Sequence, residues 1–185
     1  MNSIETPLET DASAAAGRAL EDAEYRALRA LADALREFPA QQTPIDKLQL
    51  VVDLAREMTG ARYAALAVTD ERDRTQGFVT SGLTAEELRG LRTPPQAHGP
   101  LGSLRGDGRP VRIDDLDNHP TSFGFPPRHP TMKSLLGVPL WCGQEVRGSL
   151  YVTDKSGGSA FDDDDEAVLT LLARHASSVI KRDWY

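Results

Sequence analysis

Apolar and polar residues follow helical spacing at both ends of this chain and strand spacing in its middle. From Ala14 to Phe38, Leu20, Leu28, Leu31 and Leu35 fall close to i, i+3, i+4 and i+7, with Tyr25 near the same stripe. That pattern predicts a helix with a narrow apolar seam, which either lies back on the domain or pairs with the same helix of a second chain. Pairing is the favoured expectation, although Leu28 to Leu35 is a single heptad. Pro39 and Pro44 bracket a linker. Asp46–Thr59 then reads as an amphipathic helix burying Leu48, Val51, Val52, Leu54 and Met58, with Gly60 as its stop.

Strand signals follow. Ala61–Asp70 is predicted as a strand, a charged turn reverses it, and Gly77–Gly82 pairs back. Thr84 starts a short helix, with Glu87 three residues on as its capping-box partner. Val111–Leu116 is a strand, and Asp117–Thr131 is a long loop carrying Pro120, Pro126, Pro127 and Pro130. Ser134–Cys142 is apolar on both faces, as a central, doubly covered strand must be. After a turn at Gly143-Gln144, Glu145–Asp154 alternates. Val146, Leu150 and Val152 point one way, and Arg147, Ser149, Tyr151 and Thr153 the other. One face is therefore core, and the opposite face can line something partly polar. The chain closes in a helix after Phe161, with Val168, Leu171, Leu172, Val179 and Ile180 as its apolar stripe. The acids Asp162–Glu166 suit its positive end, and Lys181 and Arg182 its negative end.

Strands in the middle and helices at both ends predict an α+β fold, an antiparallel sheet packed on terminal helices. The expected organisation is a disordered start over residues 1–13, an N-terminal helix and linker over 14–43, and one domain over 44–185. A net charge of −7 with no basic block argues against a nucleic-acid surface. No apolar run approaches the roughly 18 residues that span a bilayer, and no signal peptide is evident, so a cytoplasmic location is expected. The single cysteine, Cys142, excludes an internal disulfide and fits a reducing compartment.

His129 stands out among the candidates for chemistry, held by two prolines before it and one after, just upstream of the paired strands. His119 also precedes a proline in this loop and is a second choice. Five consecutive acids at Asp162–Glu166 lack the glycine and alternating spacing of a calcium loop, so a helix start is the better account. His98 and His175 have no partner at zinc-ligand spacing. No nucleophile elbow, P-loop or dinucleotide fingerprint occurs.

ARYAALAVTD after a helix, LLGVPLWCGQEVRGSLYVTDK, and the closing FDDDDEAVLTLLARHASSVI together resemble a GAF domain over roughly Pro44 to Ile180. The resemblance implies a central antiparallel sheet, first and last helices on one face, and a small-molecule pocket on the other. A narrower resemblance joins NHPTSFGFPPRHPTMKSLLGVPL to the haem-bearing GAF domains of mycobacterial dormancy-type sensor kinases. It implies His129 as proximal ligand of a b-type haem, Tyr151 as the distal hydrogen-bond donor, and Ala67 where a carboxylate otherwise restricts access to the iron. Two departures are visible: His129-Pro130-Thr131-Met132 replaces HPPM, and residues 1–185 hold neither a phosphoacceptor helix nor an ATP-binding lid. The GAF-type methionine sulfoxide reductases use several cysteines, and Cys142 is alone, so no enzyme is expected.

The expectation is thus a GAF sensory domain, forming a homodimer through Ala14–Phe38 and the closing helix. It would bind haem through His129 and respond to oxygen, nitric oxide, carbon monoxide or redox state. The alternative is a haem-free GAF module for dimerisation, protein interaction or another small molecule.

Overall fold

The computed structural model describes residues 7–37, 42–72, 74–90, 104, 106–117 and 130–184. Its elements are α1 (Pro7–Glu37), α2 (Pro44–Met58), β1 (Ala61–Thr69), β2 (Thr75–Ser81), α3 (Ala85–Gly90), β3 (Val111–Ile113), β4 (Leu135–Cys142), β5 (Glu145–Lys155) and α4 (Asp163–Asp183). The strands form one antiparallel sheet in the order β2-β1-β5-β4-β3. The α+β expectation holds.

Local chemistry fixes the helix ends. Thr43 caps α2: its hydroxyl accepts from the Asp46 N–H, and the Asp46 carboxylate accepts from the Thr43 N–H. Gly60, with φ of 62°, turns the chain out of the helix into β1. Thr84 and Glu87 cap α3 in the same reciprocal way, at 3.2 and 2.7 Å. Asp162 and Asp165 do so for α4. The acidic run is therefore a helix cap, with Lys155 Nζ bonded to both carboxylates. Burial pushes the Asp165 carboxyl above the usual range, and Lys155 offsets part of that.

The helices α2 and α4 cover one face of the sheet, and α1 packs on those two helices. Leu66, Val68, Leu136, Val138, Leu140, Leu150 and Val152 meet Leu48, Val51, Val52, Leu169, Leu172 and Ile180 there. Close approach of β1 and β5 depends on Gly148, where a Cβ would stand 2.0 Å from the Ala67 carbonyl oxygen. Two features of α1 differ from the sequence reading. It begins at Pro7, so residues 7–13 belong to a helix and not to a disordered start. Pro is well placed at a first helical position, and extending an existing helix is far easier than nucleating one. The buried face also takes only part of the leucine seam. Ala23, Ala27 and Leu31 face the core, while Tyr25, Leu28 and Leu35 are exposed. Small alanines let α1 approach its neighbours closely, and leucine spacing alone does not register that.

Candidate functional site

The side of the sheet away from the helices is built by alternation on its two central strands. Antiparallel register sets Tyr63 opposite Thr153 and Ala65 opposite Tyr151, with Ala67 opposite Ser149. Tyr63, Ala65 and Tyr151 join Leu104, Ile113, Leu116, Met132 and Leu135 in a second apolar cluster. Within it lies a cavity of about 20 Å³ bounded by Tyr63, Ala65, Phe78, Leu83, Met132, Tyr151 and Thr153. That volume holds about one water-sized group.

Polar atoms in this cavity are few and specific. Thr153 is 1% exposed, and its hydroxyl has no hydrogen-bond partner among the described residues. Tyr151 is also buried, burial pushes its pKa well up, and its hydroxyl bonds to no described residue. The two side chains lie two residues apart on one strand and so share a face. Tyr63 differs: its hydroxyl donates to Glu87 Oε1 at 2.9 Å. Burial first, and then the Glu87 carboxylate, raises the Tyr63 pKa, while hydrogen bonds from Thr84 and Tyr63 lower that of Glu87. Glu87 therefore ties the α3 cap to the cavity wall.

Asp154, next to Thr153, holds the facing segment. It adopts φ of 57°, a left-handed conformation uncommon outside glycine. Its carboxylate accepts from the N–H groups of Lys133 and Ser134 at 2.6 and 3.3 Å, and its own N–H donates to the Ser134 carbonyl. Those contacts fix the entry to β4 and set Met132 against the cavity. The strain has a structural purpose: it aims one wall of the site.

Tyr151 falls on the face expected for it. Ala67 shares that face but does not border the cavity. His129, His119 and His98 lie outside the described residues. His175 sits on α4, on the helix side of the sheet. Cys142 also packs toward the helices, its thiol 3.7 Å from the Ser177 carbonyl, and burial raises its pKa. A raised pKa keeps the thiol protonated, which suits packing better than nucleophilic attack. Among the described residues no group of three His, Cys, Asp or Glu side chains is placed to hold a metal ion. The sequence reading did not single out Thr153, Tyr63 or Met132. Alternation had placed Thr153 on the right face, but nothing in a sequence tells a paired threonine from an orphaned one.

This sheet, covered by helices on one side and enclosing a small cavity on the other, is the architecture of one family. The GAF domain family model matches residues 41–181, and the chain belongs to that family. Solved structures agree in fold. The GAF domain of a phosphoenolpyruvate-protein phosphotransferase from Coxiella burnetii is 23% identical over 86% of this chain and 95% of that one, with a TM-score of 0.69. A methyl-accepting chemotaxis protein fragment is 20% identical, over 87% and 96%, at 0.63. The free methionine-R-sulfoxide reductase from Neisseria meningitidis is 19% identical, over 89% and 87%, at 0.60. Among the described residues no helix is long and apolar enough to cross a membrane.

Proposed function

We propose that this chain is a non-catalytic sensory GAF module, whose signal is occupancy of the cavity between Tyr63, Met132, Tyr151 and Thr153. One observation carries the reading: the buried Thr153 hydroxyl has no described partner and shares a face of an otherwise apolar site with Tyr151. A buried hydroxyl left unpaired costs roughly 1–3 kcal/mol, a cost that a ligand group bonding to it removes. The ligand is a small molecule with an apolar body and a polar end. Chemotaxis proteins are among the proteins of similar fold, which agrees with a signalling role. The test is thermal denaturation of the wild type and the Tyr151→Phe/Thr153→Val double variant across a metabolite collection. Compounds that raise the wild-type Tm but not that of the double variant support the reading. A collection that never distinguishes the two proteins refutes it.

Haem b, held by His129 with Tyr151 distal, is the second reading. It is favoured by the position of Met132: three residues beyond His129, it borders the cavity opposite Tyr151. The cavity of about 20 Å³ between the described residues does not fit a porphyrin with its walls as they stand. Haemin titration separates the readings. A Soret band that His129→Ala abolishes establishes haem and makes gas or redox sensing the function. No specific band leaves the smaller ligand.

The signal would reach a second copy of this chain through α1. Tyr25, Leu28 and Leu35 are 61%, 55% and 39% exposed, on the side turned away from the α4 contact. With Tyr25 and Ala32 at a and Leu28 and Leu35 at d, Glu24 takes a g position and Arg29 an e position. In a parallel pair, Glu24 of each copy then meets Arg29 of the other.

A further inference from the structure

A second, wider concavity lies elsewhere, on the helix side of the sheet. It measures about 490 Å³ and runs between the end of β4 and α4. Its wall on the sheet side is Trp141, with Pro110 and Pro139 beside it. The indole is 45% exposed, although it is held firmly. Its six-membered ring lies on the backbone of Gly108, where a Cβ would approach Cζ2 to 2.3 Å. Gly108 has φ of 62°, so glycine serves there both for conformation and for contact. A large aromatic fixed in place yet left open is the kind of surface that receives a planar partner.

The opposite wall is cationic. Arg174 and Lys181, seven residues apart on α4, share one face of the helix and border the groove. Neither side chain makes an ion pair or hydrogen bond to any described residue. No acidic side chain is among the described residues that line the groove. In a chain of net charge −7, two unpaired cations facing an indole form a local positive site. Thr170, one turn before Arg174, and Ser178, between the two cations, also border the groove.

We propose that this groove is a second ligand site, separate from the Tyr151 cavity, and that it takes a small aromatic anion. The ring stacks on Trp141, and the carboxylate, sulfonate or phosphate meets Arg174 and Lys181. Arginine suits this task because its planar fork can bind a carboxylate through two parallel hydrogen bonds. The volume fits a single small molecule. The site is walled by α4, which also packs on α1, so an occupant there touches the helix that supports the proposed dimer face.

The test uses the two indole N–H signals of the full chain in a proton–nitrogen correlation spectrum, Trp141 and Trp184 being the two tryptophans. Trp141→Phe assigns the signal. The probe is 1-naphthoate, with neutral 1-naphthalenemethanol as control. Saturable movement of the Trp141 signal by naphthoate is expected. Affinity should fall about tenfold or more in Arg174→Gln/Lys181→Gln and for the neutral probe, the loss of a charge-assisted contact. The Thr153→Val variant should respond like the wild type, which keeps this result independent of the cavity reading. The proposal is overturned if the Trp141 signal stays still at millimolar naphthoate, or if it moves equally in the double variant. Both substituted positions are exposed on α4, so the variant fold is maintained and each outcome is interpretable.

Discussion

Replacing Thr153 by valine should make this protein more stable, the reverse of what most core substitutions do. Thr153 is 1% exposed, sits in the middle of the sheet opposite Tyr63, and buries a hydroxyl that bonds to no described residue. Mutational data place the cost of such an orphan at roughly 1–3 kcal/mol. Valine keeps the β-branched shape, suits a strand equally well, and puts a methyl where a cavity of about 20 Å³ leaves room for it. A gain of about 1–2 kcal/mol is expected. In a chain of this size each kcal/mol moves Tm by roughly 2–4 °C, so Tm should rise by about 2–8 °C. Calorimetry and urea denaturation should agree, with the urea slope unchanged because the surface exposed on unfolding is the same. The function should move the opposite way, with ligand affinity falling as its hydrogen-bond partner is removed. A drop in stability of 1 kcal/mol or more would refute the reasoning, since it would mean that the hydroxyl is paired in the folded protein.

Other substitutions test the frame around the site. Gly148→Ala puts a methyl 2.0 Å from the Ala67 carbonyl and should cost about 3 kcal/mol or more, read as a lowered urea midpoint. On α1 two faces should behave differently. Leu31→Ala, at a buried position, should lose about 2–4 kcal/mol. Leu28→Glu/Leu35→Glu, at exposed positions, should change stability by less than about 1 kcal/mol while converting the proposed α1-paired dimer to monomer in light scattering. Unchanged mass would remove the α1 pairing. His175 gives a pH signature. Burial, followed by repulsion from Arg182 and Lys47, lowers its pKa below the ordinary 6.5. The folded state then binds fewer protons than the unfolded chain, so the stability is whole above the unfolded pKa and is lost as pH falls through the folded one. His175→Gln should flatten the decline of Tm on acidification below about pH 6.5, and equal slopes in the two proteins would contradict the assignment.

Much of the frame was legible because it rests on periodicity and capping chemistry. The β4–β5 hairpin, the Thr84–Glu87 cap and the polar face of β5 all follow from local patterns, and each appears close to where the pattern put it. On α1 the pattern misled in part, because Ala23 and Ala27 share the buried face with Leu31 while Leu28 and Leu35 lie outside. Hydrophobic size marks a face only when nothing requires close approach. The site was legible only in part. Alternation placed Tyr151 on the face away from the helices, and it is buried there. Thr153 and Asp154 escaped notice because their roles lie in what they bond to: one to nothing described, the other to the backbone of a segment some twenty residues upstream. Such pairings belong to the fold and leave no mark in composition or spacing.

The central claim is that the Tyr151–Thr153 cavity receives the ligand whose occupancy is the signal. Methyl-labelled methionine offers a direct view, since the chain has three methionines and two of them report on opposite sides of the sheet. Met132 borders the cavity, and Met58 packs among the helices. With a compound that stabilises the wild type, the Met132 methyl signal should shift in a saturable way while Met58 stays in place. A shift of Met58 with Met132 unmoved, or no shift of Met132 at saturation, would place the ligand elsewhere and contradict the account.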